Sequence, residues 1–321
     1  MELAAHTPLD WSLVTLHGSR EAVAEETSMI LCAGEALIDM LPRETADGAG
    51  FYPATGGAVF NTAIALGRLG APTAFFTGLS SDLFGQRLAA GLAASNVESR
   101  AAVSDRPTTL AFVTLTDGHA EYAFYDENTA GRLVAPADLP DMSDIQALFI
   151  GGISLAVEPC AATYEALATG NAHLPIMIDP NIRPGFIRDP AAFRARLDRL
   201  LAVADFVKLS DEDLAWVGLT AEDVLARGPK VLCLTEGAKG VTAITAQGRV
   251  TVPARKVEVV DTVGAGDTFN AGFLAGLHRA GALAKAAPSD DVLRAALELG
   301  VRAAAITVSR AGANPPWDSE L

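Results

Sequence analysis

The sequence predicts an α/β fold in which a mostly parallel central sheet is flanked by helices. Short apolar runs recur along the 321-residue chain, and alanine-rich stretches with helical spacing separate them. This alternation is typical of βαβ units. Several runs are apolar throughout, as expected for strands that are covered on both faces. Because no low-complexity linker divides the chain, one large domain is the simplest interpretation.

The first 28 residues differ from the rest of the chain. They lack the basic start and the apolar core of a secretory signal, and their acidic residues disfavour a mitochondrial transit peptide. We therefore expect residues 1–28 to be a mobile extension, or the product of an upstream start codon. Residues 29–321 are expected to form the folded domain.

Predicted strands and helices alternate from Met29 onward. The strands are MILCA from Met29, AFFTG from Ala74, ALFIGG from Ala147, PIMID from Pro175, FVKLS from Phe206 and VLCLTEG from Val231. The helices are AVFNTAIALGRLG from Ala58, GQRLAAGLAAS from Gly85, CAATYEALATG from Cys160 and FRARLDRLLAVA from Phe193. Their lengths fit parallel strands that are joined by helical crossovers.

One segment interrupts this alternation. Residues 108–128, TTLAFVTLTDGHAEYAFYDEN, alternate large apolar residues with smaller or polar ones. The dipeptide Asp117-Gly118 between the two runs is a strong turn signal, so we expect a β-hairpin. A hairpin inserted into an α/β chain often covers a binding site. An ordinary edge hairpin explains the pattern equally well at this point.

Composition disfavours several classes of function. The chain has 24 basic and 39 acidic residues and a net charge of −15, which disfavours a nucleic-acid or anionic-membrane partner. Its three cysteines are far apart, and its five histidines form no zinc-binding spacing. No apolar run reaches the roughly 20 residues of a membrane span. We therefore expect a cytoplasmic protein without disulfides.

The stretch DTVGAGDTFNAGF, residues 261–273, indicates a site for phosphoryl transfer. Gly264 and Gly266 precede a run with helical spacing, so we expect a glycine loop that leads into a helix. Free amides at a helix N-terminus bind anions, and glycine lets phosphate oxygens approach the backbone. Asp267 beside such a phosphate can orient an alcohol and accept its proton, as the aspartate of protein kinases does. A simple helix cap is the alternative role for Asp267.

This motif differs from two common nucleotide-binding loops, since GxxxxGK[ST] is absent and the third glycine of the dinucleotide fingerprint is missing. The run DTVGAGDTFNAGFLAGL instead resembles the second signature of the ribokinase-like PfkB family of carbohydrate kinases. GGAVFNTAIALGRLG from Gly56 resembles the first signature. The resemblance extends from Met29 to about Trp317, and GEALIDMLP, DPNIRP and KLSDED are most similar to the fructokinase branch. It implies a ribokinase-like fold with a small β lid.

The resemblance also implies residues that hold the sugar and the transferred group. The predicted anion hole consists of the backbone of Gly264, Ala265 and Gly266, with Asp267 as the catalytic base. The residues implied to bind sugar hydroxyls are Asp39, Gly56, Gly57 and Asn61. Carboxylate and amide groups match the donors and acceptors of a polyol. Without the resemblance, a tight turn would equally explain Gly56 and Gly57, and a polar residue at a helix start would explain Asn61.

Arg183 and a second loop are implied to contact phosphate. Arg183 in DPNIRP matches an arginine that relatives place near the sugar or the transferred phosphate, and a guanidinium suits phosphate oxygens. TEGAKG resembles the loop that packs against ATP, so Thr235, Gly237 and Gly240 are the predicted nucleotide-binding residues. A surface salt bridge and an ordinary β-turn are the alternatives.

Two metal positions follow from the same resemblance. In KLSDED, Ser210 and Asp213 replace the asparagine and glutamate of the family's NxxE motif. Asp213 is therefore the expected magnesium residue, acting through water, with Glu212 or a merely solvated acidic helix start as alternatives. Asp261, with the Val263 carbonyl, matches the monovalent-cation site of many relatives, and such oxygens suit potassium.

The sequence thus predicts ATP-dependent phosphorylation of a sugar hydroxyl, with fructose as the expected sugar and ATP and Mg²⁺ as cofactors. A lid formed by residues 36–54 and 108–128 is expected to close over the sugar and exclude water, which competes as the acceptor. Because the lids of relatives often pair between subunits, we expect a homodimer.

Alternatives remain open at this point. One is a 2-keto-3-deoxygluconate kinase, although Asp126 and Glu127 in the lid would repel the carboxylate of an acid sugar. A nucleoside kinase is a weaker alternative, because no additional aromatic clamp for a base is evident. The last is a non-catalytic sugar-binding regulator on the same scaffold. The presence of Asp267 with its glycines favours an enzyme.

Overall fold

The structure is a computed structural model that describes residues 28–46, 48–116 and 119–321. Its strands are β1 Met29–Ala33, β2 Leu37–Thr45, β3 Gly48–Gly56, β4 Thr73–Phe76, β5 Gly78–Ser80, β6 Val97–Ser99, β7 Ala102–Ser104, β8 Leu110–Thr116, β9 His119–Tyr125, β10 Ile145–Gly151, β11 Ile176–Asp179, β12 Phe206–Ser210, β13 Val231–Thr235, β14 Val241–Ile244 and β15 Arg249–Val252. Its helices are α1 Ala58–Arg68, α2 Leu83–Ala94, α3 Cys160–Gly170, α4 Pro190–Leu201, α5 Asp211–Val217, α6 Ala221–Ala226, α7 Ala265–Arg279 and α8 Asp290–Val308. Residues 1–27 of the predicted extension and the predicted turn at 117–118 lie outside the described residues.

A nine-stranded sheet forms the centre of the molecule, in the order β15-β14-β13-β12-β11-β10-β1-β4-β6. The strands from β13 to β6 in this order pair in parallel, and β14 and β15 extend the sheet antiparallel at one edge. Each predicted strand and helix is present, with ends displaced by a few residues. The predicted α/β fold with a mostly parallel sheet is therefore confirmed.

Strand β1 is apolar throughout because both faces of the central sheet are covered. Ile30 and Cys32 of β1 pack into the core that includes α1, α7 and α8. Leu31 and Ala33 point to the other face and pack into the core that includes α3 and α4. Successive side chains of a strand point to opposite faces, so a strand between two helical layers favours apolar residues on both faces.

Helices α7 and α8 pack closely because small residues face each other. A Cβ atom added at Gly272 would lie 2.6 Å from Gly300 Cα, and one at Gly276 would lie 2.6 Å from Ala296 Cα. This close packing fixes the direction of α7, whose N-terminus carries the glycine motif. No helix in the described part of the chain is long and apolar enough to cross a membrane.

A second sheet, in the order β3-β2-β8-β9, occupies the segments for which a lid is predicted. We call this four-stranded sheet the lid sheet. Its register places Asp39, Ala111 and Phe124 on one face, and Met40 and Phe112 on the other. A third, two-stranded sheet pairs β5 with β7. The lid sheet thus has an inner face that carries Asp39, a predicted sugar-binding residue, and an outer face that carries aromatic residues.

Candidate active site

The predicted site residues converge at one edge of the central sheet. Strands β1, β10, β11 and β12 are parallel, so their carboxyl ends meet there. Asp179 ends β11, and the N-terminus of α7 lies beside it, because Asn270 Nδ2 donates a hydrogen bond to Asp179 Oδ2 at 2.7 Å. Ligands of open parallel sheets bind beyond this edge.

The glycine motif forms the start of α7. Gly264 is the N-cap residue with φ +77°, and a Cβ atom there would lie 2.8 Å from Ala313 Cβ, so only glycine fits without strain. Ala265 N donates to Thr262 O at 3.3 Å, whereas the amides of Gly266 and Asp267 have no backbone acceptor among the described residues. Unpaired amides at the positive end of a helix dipole are suited to an anion.

Asp267 lies in the first turn of α7 and is 6% exposed. Asn61 Nδ2 donates to Asp267 Oδ2 at 3.0 Å. Burial raises the pKa of Asp267 to about 7; the Asn61 hydrogen bond opposes this rise, the charge of Asp179 adds to it, and the charges of Lys208 and Arg183 oppose it. A carboxylate with a pKa near neutrality is a better proton acceptor than an ordinary aspartate.

Asn61 is held in place by the fixed start of α1. Gly57 is the N-cap residue with φ +105°, and a Cβ atom there would lie 2.7 Å from Glu35 O. The partly buried Glu35 carboxylate accepts from Ala58 N at 3.0 Å and from Ser154 Oγ at 2.9 Å. Glu35 therefore joins the end of β1 to the helix that carries Asn61.

The lid sheet contributes Asp39. Burial raises the pKa of Asp39 to about 6. A side chain at Gly56 would overlap the Asp39 carboxylate, so glycine at position 56 leaves room for this aspartate. On the same face, the Phe124 ring packs edge-on against Phe186, with 4.7 Å between the ring centroids. Phe186 follows the Arg183 loop, so the lid sheet contacts the edge where the other site residues meet.

Arg183 lies in an exposed loop whose backbone is fixed by two aspartates. Asp179 Oδ1 accepts from Asn181 N at 3.0 Å, and Asp213 Oδ1 accepts from Ile182 N at 3.0 Å. Asn181 has φ +42°, an uncommon value for a residue other than glycine. The charge of Arg183 lowers the pKa of Asp267.

Asp213 is largely committed to the backbone. Besides Ile182 N, it accepts from Ser210 N through Oδ2 at 3.0 Å, and Ser210 Oγ accepts from Asp213 N at 2.9 Å. This reciprocal pair is a capping box at the start of α5. Both carboxylate oxygens thus bind amides, which weakens the expectation that Asp213 serves magnesium. Glu212 on the same turn is exposed.

The predicted nucleotide loop lies at the end of the neighbouring strand. Thr235 is the last residue of β13, and a short 3₁₀ turn, Gly237–Lys239, follows it. A Cβ atom at Gly237 would meet no atom within 4 Å, so this position faces open space. Gly240 instead packs against the backbone of Val252 and Ala254, so the chain's own packing explains why position 240 is glycine.

Asp261 joins the glycine motif to the segment that follows α8. Its Oδ1 accepts from Val263 N at 3.0 Å, and its Oδ2 accepts from Gly312 N at 2.9 Å. Residues 28–46, 48–116 and 119–321 contain no cluster of three or more His, Cys, Asp or Glu side chains that could hold a metal ion. Magnesium commonly needs only one or two carboxylates together with substrate phosphates, so this finding is compatible with a nucleotide-borne metal.

Sequence reasoning missed Lys208, Asp179 and Asn270 as functional candidates. The Lys208 ammonium lies 3.1 Å from Asp179 Oδ2, and both side chains are buried. Lysine in the otherwise apolar strand FVKLS was the available signal, because a lysine is seldom buried unless it is paired.

Comparisons with known proteins match most of the chain. The family described as pfkB family carbohydrate kinase matches residues 27–320. A fructokinase from Rhizobium leguminosarum bv. trifolii is 55% identical over 267 residues, which are 80% of this chain and 82% of that protein. The crystal structure of a fructokinase with bound ATP from Xylella fastidiosa has a TM-score of 0.82 and 30% identity, covering 89% of this chain and 94% of the other.

A second solved structure is similar in the same way. It is a fructokinase double mutant from Vibrio cholerae O395 in a form with fructose, ADP and a potassium ion bound. The TM-score is 0.79 and the identity 25%, over 89% of this chain and 94% of the other. The similarity to both structures extends over most of the chain.

Proposed function

Because the chain belongs to the pfkB family of carbohydrate kinases, we propose that it transfers the γ-phosphoryl group of ATP to a hydroxyl of fructose. The observation that carries this proposal is the position of Asp267 at the start of α7, bonded to Asn61 and next to amides without backbone acceptors. The names of the relatives support fructose as the sugar and ATP as the donor.

Asp267 acts as the general base in this proposal. The sugar oxygen bonds to the γ-phosphorus as the bond from that phosphorus to the ADP oxygen breaks, and the hydroxyl proton passes to the Asp267 carboxylate. The amides of Gly264, Ala265 and Gly266, together with Arg183, stabilise the charge on the transferred group. Ala265 N must release its weak bond to Thr262 O to take part.

Asp39, Gly56, Gly57 and Asn61 are proposed to hold the sugar hydroxyls. The lid sheet places Asp39 opposite the start of α1, and partial burial of this carboxyl raises its pKa to about 6. Thr235 and Gly237 are proposed to contact the nucleotide, while Gly240 shapes the loop. Exclusion of water favours transfer to the sugar over hydrolysis of ATP.

Magnesium would supply positive charge to the phosphates. The exposed Glu212 at the start of α5 fits this role better than Asp213, whose oxygens both bind amides. Asp261 and the Val263 carbonyl are proposed for potassium, since oxygen ligands suit a hard cation. The potassium ion of the Vibrio cholerae fructokinase structure supports this proposal.

The choice of a neutral sugar rests on the relatives rather than on lid charges. Asp126 is buried and forms an ion pair with Arg132 at 2.7 Å, which compensates its charge. The expectation that Asp126 repels an acid sugar was therefore wrong. Glu127 is exposed and lies 3.6 Å from Arg188. The 55% identity to a fructokinase therefore favours fructose over 2-keto-3-deoxygluconate.

The outer face of the lid sheet is proposed to pair with a second copy of the chain. Phe112 packs edge-on against Phe51 and Tyr125, with 5.0 and 5.4 Å between ring centroids, yet Phe51 is 47% and Tyr125 64% exposed. Exposed aromatic patches of this kind mark protein interfaces. A symmetric dimer would cover these rings with the same face of its partner.

A substrate panel tests the proposed function. ATP consumption is measured with fructose, 2-keto-3-deoxygluconate, ribose and adenosine, with and without potassium. We expect fructose to have the highest kcat/KM. Turnover of only the acid sugar would favour the rival kinase, and binding of sugar without any turnover would favour a non-catalytic regulator.

A further inference from the structure

Lys208 is a buried lysine in the middle of β12. Its side chain is on the same strand face as Phe206, whose ring packs against Phe273 of α7 with 6.0 Å between centroids. Only 5% of Lys208 is exposed, and its ammonium lies 3.1 Å from Asp179 Oδ2. Burying a lysine is costly unless the charge is paired, so its position needs a physical reason.

The ammonium lies against the helix start that forms the predicted anion hole. A Cβ atom added at Gly266 would lie 3.3 Å from Lys208 Nζ. The N-terminus of α7 already carries the positive end of the helix dipole, so a cation beside it is unfavourable in isolation. This arrangement becomes favourable when an anion occupies the same place.

Asp179 holds Lys208 in position. Asn270 Nδ2 donates to Asp179 Oδ2 at 2.7 Å, and Asn181 N donates to Asp179 Oδ1 at 3.0 Å. Burial lowers the pKa of Lys208, but the charges of Asp179 and Asp213, with smaller help from Asp267, outweigh burial and keep the pKa above its ordinary value. Lys208 therefore stays protonated.

The groups that face Asp267 have opposing effects on its pKa. From β11 comes the negative charge of Asp179, and from β12 and the loop after β11 come the positive charges of Lys208 and Arg183. From α1 comes the amide of Asn61. From α8 comes the uncharged Thr307, whose hydroxyl donates a hydrogen bond to the hydroxyl of Thr268. Lys208 is the buried cation of this group, since Arg183 is exposed.

We propose that Lys208 is a positioning residue for phosphoryl transfer, whose fixed charge lets an ionised Asp267 and a transferring phosphoryl group share one buried site. Lys208 acts through Asp267 and the α7 amides, and it keeps its own proton throughout. This inference rests on the proposed kinase function and deepens it. Asp179 and Asn270 serve to orient the ammonium.

Lys208→Met tests the inference, because methionine fills a similar volume without charge. In the full chain with ATP and fructose, we expect kcat to fall by about 30-fold or more, a loss comparable to that of one oxyanion donor. The KM for fructose should change by less than about 3-fold, because the proposed role of Lys208 is exerted on Asp267 and the α7 amides and not on the sugar. The acidic limb of the kcat–pH profile should move to higher pH, because loss of a nearby cation raises the pKa of Asp267.

Lys285→Met is the matched control. Lys285 also pairs with a buried aspartate, Asp205, at 2.8 Å, but Asp205 precedes β12 and lies at the opposite edge of the sheet. We expect this variant to keep the wild-type kcat and pH profile. Circular dichroism and thermal melting establish that each variant is folded. If Lys208→Met does not fold, Lys208→Gln, which retains a donor for Asp179, should give the same kinetic changes.

An unchanged acidic limb overturns the inference even if kcat falls, because a mere packing defect would not move that limb. Equal losses in Lys208→Met and Lys285→Met overturn it as well. An active wild type with an equally active Lys208→Met contradicts the inference alone. A wild-type chain that phosphorylates no sugar contradicts the proposed function and the inference together.

Discussion

Asn61 Nδ2 donates a hydrogen bond to Asp267 Oδ2 at 3.0 Å, although 206 positions separate the two residues in the sequence. This bond joins the first turn of α1 to the first turn of α7. It places a predicted sugar-binding residue directly beside the predicted base, and it links the two signature motifs in one site.

Asn61→Ala should impair both binding and chemistry. Loss of a hydrogen bond to the sugar should raise the KM for fructose about 10-fold. Loss of the bond to Asp267 should raise the pKa of the base further, so the acidic limb of the kcat–pH profile should move to higher pH. Steady-state kinetics between pH 5 and 9 measure both effects.

Gln247→Ala is the control, since Gln247 is an exposed amide at the β14–β15 turn, and it should change neither the KM nor the pH profile. An unchanged KM in Asn61→Ala would contradict the role of Asn61 in sugar binding.

Stability should depend on pH through Asp267. Burial raises its folded-state pKa to about 7, so the folded state binds this proton more tightly than the unfolded state does. The stabilising contribution is complete below the unfolded pKa of about 4 and is lost as pH rises through about 7. Asp267→Asn removes the titrating carboxyl, so the variant does not lose stability through this group as pH rises. Its melting temperature should exceed that of the wild type at pH 8, by an amount equivalent to at most about 4 kcal/mol, and the difference should shrink toward pH 5. A difference that does not vary with pH would argue against the raised pKa.

The outer face of the lid sheet should control oligomeric state. Phe51→Glu adds a charge to the exposed aromatic cluster with Phe112 and Tyr125, and burying that charge in an interface is unfavourable. We expect light scattering after size exclusion to give a dimer for the wild type and a monomer for the variant. Thr251→Glu, on the exposed face of β15 at the far edge of the central sheet, should remain dimeric. A monomeric wild type would refute the proposed pairing.

Potassium should raise turnover through Asp261. Replacing potassium chloride with tetramethylammonium chloride at equal ionic strength should lower kcat severalfold in the wild type. Asp261→Ala loses an oxygen ligand and the bonds to Val263 N and Gly312 N, so its kcat should be low and insensitive to potassium. Coupled assays across a potassium titration give the result. Equal turnover of the wild type in both salts would exclude a potassium requirement.

The sequence predicted the elements that local pattern determines. The fold class, the carbohydrate kinase family and the helix start at Gly264–Asp267 are confirmed. These features follow from hydrophobic periodicity, from glycine at helix starts and from signature motifs, all of which lie within short segments.

Contacts between distant segments could not be predicted in the same way. Lys208 was interpreted only as part of a strand, since its partner Asp179 lies on the neighbouring strand. Asp213 was expected to serve magnesium, but its partner Ile182 lies 31 positions away, and that bond is visible only in the folded chain. Asp126 was expected to repel an acid sugar, yet Arg132 neutralises it. Tertiary contacts decide which charged groups remain available to bind a ligand, and the spacing of residues along the chain does not reveal these contacts.

The most direct test of the central claim is the turnover of Asp267→Asn. Asparagine preserves the size of the side chain and can still accept a hydrogen bond from Asn61, but it cannot take a proton from the sugar. If Asp267 is the general base, kcat should fall by at least about 100-fold while fructose binding measured by calorimetry is largely retained. Asp223→Asn, at an exposed cap of α6, should match the wild type. A folded Asp267→Asn variant with wild-type kcat would contradict the account.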